Sequence, residues 1–152
     1  MNFRTTTPKS LVFKYTKEEL RGGTIYRPRV EIRLSNGNNS IKIIMLIDSG
    51  ADVSFIPKEI AEVLELDLTT GEKIKASSAS EQFEVVSKEV HAELIKGTKV
   101  INLGMMDVRI PLKTHTDSSN SHNLLGRNHF FRKFDITFRE NTFKIILKKP
   151  KK

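Results

Sequence analysis

The sequence predicts a mainly β, compact, barrel-like domain with one or two short helices, and three observations carry that prediction. Apolar residues recur in short runs with period-two alternation, as Val30, Ile32 and Leu34 do against Arg29, Glu31 and Arg33. Turn signals separate these runs, chief among them Ser35-Asn36-Gly37-Asn38-Asn39-Ser40 with its Asn-Gly pair. Only two short stretches have helical spacing. At 152 residues the chain suits one domain with a real core. Its 38% hydrophobic and 29% charged residues place it with globular rather than disordered chains.

In chain order, residues 1–24 are polar around one apolar segment, Leu11-Val12-Phe13, and Arg21-Gly22-Gly23-Thr24 reads as a loop or linker. A half-exposed strand covers Ile25 to Leu34, with Pro28 arguing that it begins late or lies on an edge. The run Ile41 to Ile47 reads as a strand buried on both faces, and it delivers Asp48. Val53-Ser54-Phe55-Ile56 is a further short buried strand. Pro57 opens a helix through Leu64 whose apolar face is Ile60, Ala61 and Leu64.

Residues 71–90 form a second hairpin with the small, polar tip Ala76-Ser77-Ser78-Ala79-Ser80. Strands follow at Val90–Ile95, at Val100–Leu103 after a Lys96-Gly97 turn, and at Met105–Leu112. The polar loop Thr114–His122 leads into Asn123-Leu124-Leu125-Gly126-Arg127-Asn128 and a short helical segment, His129–Phe134. There Phe130, Phe131 and Phe134 have the spacing of core residues. Strands Ile136–Phe138 and Phe143–Leu147 close an inventory of eight to ten strands and two small helices.

Composition excludes several kinds of chemistry. With no cysteine there is no disulfide, thiolate nucleophile or thiolate metal ligand. The four histidines, His91, His115, His122 and His129, include no His-x-x-x-His pair, so neither a metal site nor any cofactor is expected. The longest apolar run, Ile43 to Ile47, is far short of a membrane span, and the first seven residues lack a signal-peptide core. No membrane association and a cytoplasmic location are the expectations. The net charge of +8 includes Lys144, Lys148, Lys149, Lys151 and Lys152, and the first 33 residues carry eight Lys/Arg against three Glu. Such a surface can attract nucleic acid. Without an interleaved aromatic-basic motif, a solvated basic surface is the favoured reading.

The informative residue is Asp48. A carboxylate ending an apolar strand is expensive to bury unless hydrogen bonds or a neighbouring charge manage it, and Gly50 two residues later lets backbone come very close. By itself this fits either a capping carboxylate or an active-site acid. Two separated segments together go further. Ile47-Asp48-Ser49-Gly50-Ala51-Asp52, followed about 75 residues later by Asn123-Leu124-Leu125-Gly126-Arg127-Asn128, resembles the retroviral-type aspartic proteases, the retropepsins. The match runs over about residues 41–140. It divides the chain into an amino-terminal extension (1–24), a retropepsin-like domain (25–148) and a basic tail (149–152), with the closed acid-protease fold as one lobe per chain.

The resemblance implies an aspartic endopeptidase in which Asp48 is the catalytic acid. One chain holds one Asp-Ser-Gly, so a pair of carboxylates implies a homodimer with Asp48 on its two-fold axis. Ser49, where threonine is commoner, would hydrogen-bond across that axis, and Gly50 and Ala51 would complete the active-site loop. Asp52 and Arg127 match an ion pair near the subunit interface that is expected to be partly buried; Asp52 stands equally between structure and substrate contact. Ala76, Ser77, Ser78, Ala79 and Ser80 fall at the tip of the flap that closes over substrate, with Ala and Ser where glycines are usual. The strand Phe143–Leu147 is a candidate for an intersubunit sheet. Substrates would be peptides or unfolded protein in extended form. Two alternatives remain open: a non-catalytic dimeric module on the same fold that binds peptide or nucleic acid, and a monomeric barrel with an incidental Asp-Ser-Gly.

Overall fold

The computed structural model describes residues 10–77, 82–113 and 123–150, so the expected polar loop 114–122 lies outside the described residues. The described residues form twelve strands and two short helices. In order these are β1 (Leu11–Lys14), β2 (Thr16–Leu20), β3 (Gly23–Arg27), β4 (Arg29–Asn36), β5 (Asn39–Ile47), β6 (Ser54–Phe55), α1 (Lys58–Val63), β7 (Lys73–Ser77), β8 (Gln82–Lys96), β9 (Lys99–Pro111), β10 (Leu124–Leu125), α2 (Phe130–Lys133), β11 (Asp135–Arg139) and β12 (Lys144–Lys148). None of the described helices is long and apolar enough to cross a membrane.

Strands β4, β5, β10, β6, β9 and β8 pair in that order, and β4 pairs again with β8, closing a six-stranded ring. The ring encloses the core. Val30, Ile32 and Leu34 of β4 meet Met45 and Ile47 of β5, Val90 and Leu94 of β8, and Met106, Val108 and Ile110 of β9, each at most 3% exposed. Ala61 and Leu64, fully buried, close one end from α1, and Phe130 and Phe134 of the α2 segment meet with ring centroids 5.3 Å apart.

The Asn-Gly signal marks the β4–β5 hairpin, where Asn36 pairs with Asn39 and Gly37 takes φ 59°. Asn36 Nδ2 donates to the Leu64 carbonyl (2.9 Å) and Asn39 Nδ2 to Glu65 Oε2 (3.0 Å), which ties the hairpin tip to the end of α1.

Four details differ from expectation. Strand β5 buries only one face: Ile43, Met45 and Ile47 are buried, whereas Ile44 is 44% exposed. A ring that encloses the core turns one face of each strand outward, so an apolar run does not imply two covered faces. The expected strand Ile25–Leu34 breaks at Pro28, which separates β3 from β4. Arg21–Thr24, expected as a loop or linker, is the turn of a hairpin whose first strand, β2, lies in a stretch not read as a strand, with Leu20 opposite Gly23. Finally, β12 lies at the centre of a three-stranded sheet, β1-β12-β11, so both its edges are filled within the chain and neither is free for an intersubunit ladder.

The β2–β3 hairpin pairs with no other strand, and an isolated hairpin is marginal in water. Side chains hold it. Glu18 Oε2 accepts from Arg27 Nε and from Arg29 Nη2, both at 2.9 Å, while the Tyr26 ring stacks on Phe143 at 4.3 Å.

Truncating a ring residue tests the core directly. Leu34→Ala, at a fully buried position, is expected to lower the unfolding free energy by about 2–5 kcal/mol. Urea titration would show this as a lower midpoint at unchanged slope; an unmoved midpoint would place Leu34 outside the core.

Candidate active site

Asp48 follows the last residue of β5, and its loop is stitched to the segment 123–128. Strand β10 lies between β5, to which it is parallel, and β6, to which it is antiparallel. Those two strands are joined by the Asp48 loop, so the loop passes around β10. Backbone bonds lock the arrangement: Leu46 N–H to Asn123 O (2.7 Å), Asp48 N–H to Leu125 O (3.0 Å), Arg127 N–H to Ala51 O (2.9 Å) and Asn128 N–H to Asp52 O (2.9 Å). On the other side of the acid's strand, Ile47 N–H donates to Pro28 O at 2.9 Å.

Two glycines make this possible. At Gly126 an added Cβ would lie 2.3 Å from the Val53 carbonyl oxygen, a clash with backbone that no rotamer relieves. Its N–H donates to Ser54 Oγ (3.0 Å), a fully buried hydroxyl within the apolar run Val53–Ile56. Gly50 donates its N–H to Asp48 Oδ1 at 2.9 Å, and a Cβ there would sit 3.2 Å from the same oxygen. The turn is completed by Ala51 N–H to Asp48 O at 3.2 Å. One carboxylate oxygen is thus held by the loop's own backbone.

Asp48 is half-buried, and Ser49, Gly50 and Asp52 are exposed. Among the described residues the Ser49 hydroxyl has no hydrogen-bond partner. Arg127 Nη2 donates to Asp52 Oδ1, with the two side chains 56% and 81% exposed. The sequence reading expects a partly buried pair; in the single chain it is open to solvent, where such bridges contribute roughly 0–1 kcal/mol. At the far end of the segment, Ala76 and Ser77 finish β7, and Ser78, Ala79 and Ser80 lie outside the described residues.

Beside Asp48 is an open groove of about 350 Å³, lined by Tyr15, Tyr26, Arg27, Pro28, Leu46, Ile47, Ser49, Phe138 and Glu140. The residues from the amino-terminal strands and from the β11 end were not singled out from sequence. No local motif marks them, because only the fold brings them to the acid. Ser54 had a weak signal, a lone hydroxyl inside a buried apolar run. In the groove wall, Tyr15 is buried, and that burial, with the Glu140 carboxylate it hydrogen-bonds, pushes its hydroxyl up to about 12. Among the described residues no three His, Asp or Glu side chains gather as a metal-ligating group.

A family model described as aspartyl protease matches residues 30–129. Among solved structures the chain is similar to a retropepsin-like aspartic protease from Rickettsia conorii, at 17% identity, with 98% of each chain covered and a TM-score of 0.59. That likeness shows the fold. No curated protein matches the chain.

Gly126→Ala is expected to destabilise the fold by about 1–3 kcal/mol or more, since the obstructing atoms are backbone. Chemical denaturation of the purified variant measures this, and a loss below 1 kcal/mol would contradict the close approach. A second expectation concerns His129, next to the same segment. Burial lowers its affinity for a proton below the ordinary value of 6.5, and Lys133 adds to the effect, against the bond from Nε2–H to Leu103 O. The unfolded chain therefore takes up this proton first. The stability associated with neutral His129 is present above pH 6.5 and is lost as pH falls through the lowered value. Between pH 7.5 and 5.5 the melting temperature of the wild type should fall further than that of His129→Gln; equal slopes would refute the assignment.

Proposed function

The chain belongs to the aspartyl protease family, and from that premise we propose that it is an aspartic endopeptidase whose acid is Asp48, active as a homodimer. The observation that carries this reading is the setting of Asp48. It stands at the mouth of a groove, with one oxygen held by Gly50 N–H, on a loop that the 123–128 segment fixes in place.

A single carboxylate cannot supply both an acid and a base to the same water-mediated step. Two carboxylates a few ångströms apart cannot both ionise, so they share one proton. The ionised member takes a proton from water as the water attacks the scissile carbonyl. The protonated member donates a hydrogen bond to the carbonyl oxygen as negative charge develops there. The two roles belong to the pair, and its pKa values are macroscopic. Since one chain has one Asp-Ser-Gly, the second acid would be the partner's Asp48.

The exposed groups support a second chain at this face. Ser49, with no partner among the described residues, lies next to the acid, and the Arg127–Asp52 pair is open to solvent. A partner subunit would cover them, and losing either member of the ion pair would then cost more than it does at an open surface. Because β12 is enclosed, a ladder between subunits built on the three-stranded sheet would use an edge of β1 or β11. The groove beside Asp48, with its leucine, isoleucine, proline and aromatic walls, suits an extended peptide of largely apolar sequence. By the family resemblance, the β7–β8 hairpin would be the flap that closes over substrate. Metal and cofactor have no part in this mechanism.

Purified wild type should cleave an unfolded protein between pH 3 and 7 and run as a dimer on sizing. Asp48→Asn should keep the dimer and lose about 10²–10⁴-fold or more in rate. The requirement for a shared proton makes activity fall at high pH, so a rate that climbs steadily from pH 5 to 9 would count against the dyad. No cleavage by a confirmed wild-type dimer would leave the non-catalytic binding module standing instead.

A further inference from the structure

The three-stranded sheet has two faces of opposite character. Leu11, Ile145 and Leu147 point into the core. On the other face the register sets Lys14 opposite Lys144, and Lys144 opposite Arg139, so three cations stand side by side in one row. At strand spacings near 4.8 Å the row spans about 10 Å. The next row on this face is Val12, Ile146 and Thr137, and beyond it Lys148 faces Asp135. Among the described residues none of Lys14, Lys144 and Arg139 has an acid within ion-pair distance. The neighbouring Glu140 is hydrogen-bonded to Tyr15. Like charges placed directly opposite weaken a sheet, so this row works against the fold that displays it.

We propose that this face binds the phosphate backbone of single-stranded nucleic acid. Three aligned, unneutralised cations match a run of phosphates, and the net charge of +8 attracts a polyanion from a distance. One residue along the chain from Lys144 is Phe143, 40% exposed and stacked on Tyr26, itself 39% exposed. An exposed aromatic pair next to a row of cations is the combination on which unpaired bases stack while their phosphates are neutralised. The cation row lies across a three-stranded sheet and not on a helix or a two-stranded ribbon, the shapes that enter a duplex groove, which favours a single strand. No residue of the cation row lines the groove beside Asp48, whereas Tyr26 of the aromatic pair does.

The test is fluorescence anisotropy with a labelled 20-nucleotide oligouridine, titrated with the full chain from 50 to 300 mM KCl. Wild type is compared with a triple variant, Lys14→Gln, Lys144→Gln and Arg139→Gln. The control is an equally neutralised triple elsewhere, Lys42→Gln, Lys58→Gln and Lys113→Gln. Wild type and control should bind, and the slope of log K against log salt should flatten by about 2 in the row variant, about 0.7 for each lost phosphate contact. If the row variant does not fold by thermal melting, Lys14→Gln alone should flatten the slope by about 0.7. No binding at 50 mM KCl, an equal loss in both triples, tighter binding of a 20-base-pair duplex, or binding of phosphatidylserine vesicles without binding of the oligouridine would each overturn the proposal.

Discussion

The structure depends on one insertion, that of the 123–128 segment between two strands already joined by the Asp48 loop. A backbone threaded through such a loop leaves both sides little freedom. Every change of loop conformation must break one of the bonds from Leu46, Asp48, Arg127 or Asn128, or press Gly126 into the Val53 carbonyl. The buried hydroxyl of Ser54 satisfies the Gly126 N–H at the tightest point, where a ladder bond is missing and an unpaired donor would be costly. Rigidity at Asp48 thus comes from contacts remote in sequence, and the ring of strands exists around them.

At this face of the single chain the polar and charged groups are left to solvent. An arginine and an aspartate meet in water, a serine hydroxyl beside the acid has no described partner, and apolar and aromatic side chains line an open groove. Each feature contributes little while solvated. On the proposed reading a second chain turns all of them into interior contacts at once, and assembly and activity become one event. The core beneath needs no such help, because the ring closes on itself and leaves β4 without a free edge.

What could be read from the chain divides along physical lines. The ring strands were legible because alternation and an Asn-Gly turn are local signals, and Asp48 was legible because an acid ending an apolar run asks for an explanation. The insertion was not visible as geometry: β6 was read as a short strand, but β10, at two residues, is too short to have a period. Strands β8 and β9 read as several pieces, since a bulge between Ala92 and Glu93 shifts the register along their length. Strand β2 was not read because Thr16–Leu20 is polar up to its last residue, and what holds the hairpin, Glu18 between Arg27 and Arg29, is tertiary. The groove around Asp48 draws on residues from both ends of the chain and has no sequence signature at all.

The distance along the chain between the acid's loop and the segment that fixes it has a consequence for biosynthesis. Ribosomes make Asp48 early, yet the partners of Leu46, Asp48 and Ala51 come only with residues 123–127, and the Ser54 hydroxyl waits 72 residues for the Gly126 N–H. Until then the loop has nothing to wrap around. A nascent or truncated chain ending before that segment carries the acid without its geometry. On the proposed reading, a growing chain that has not yet reached residues 123–127 would hold the acid without the bonds that set its loop.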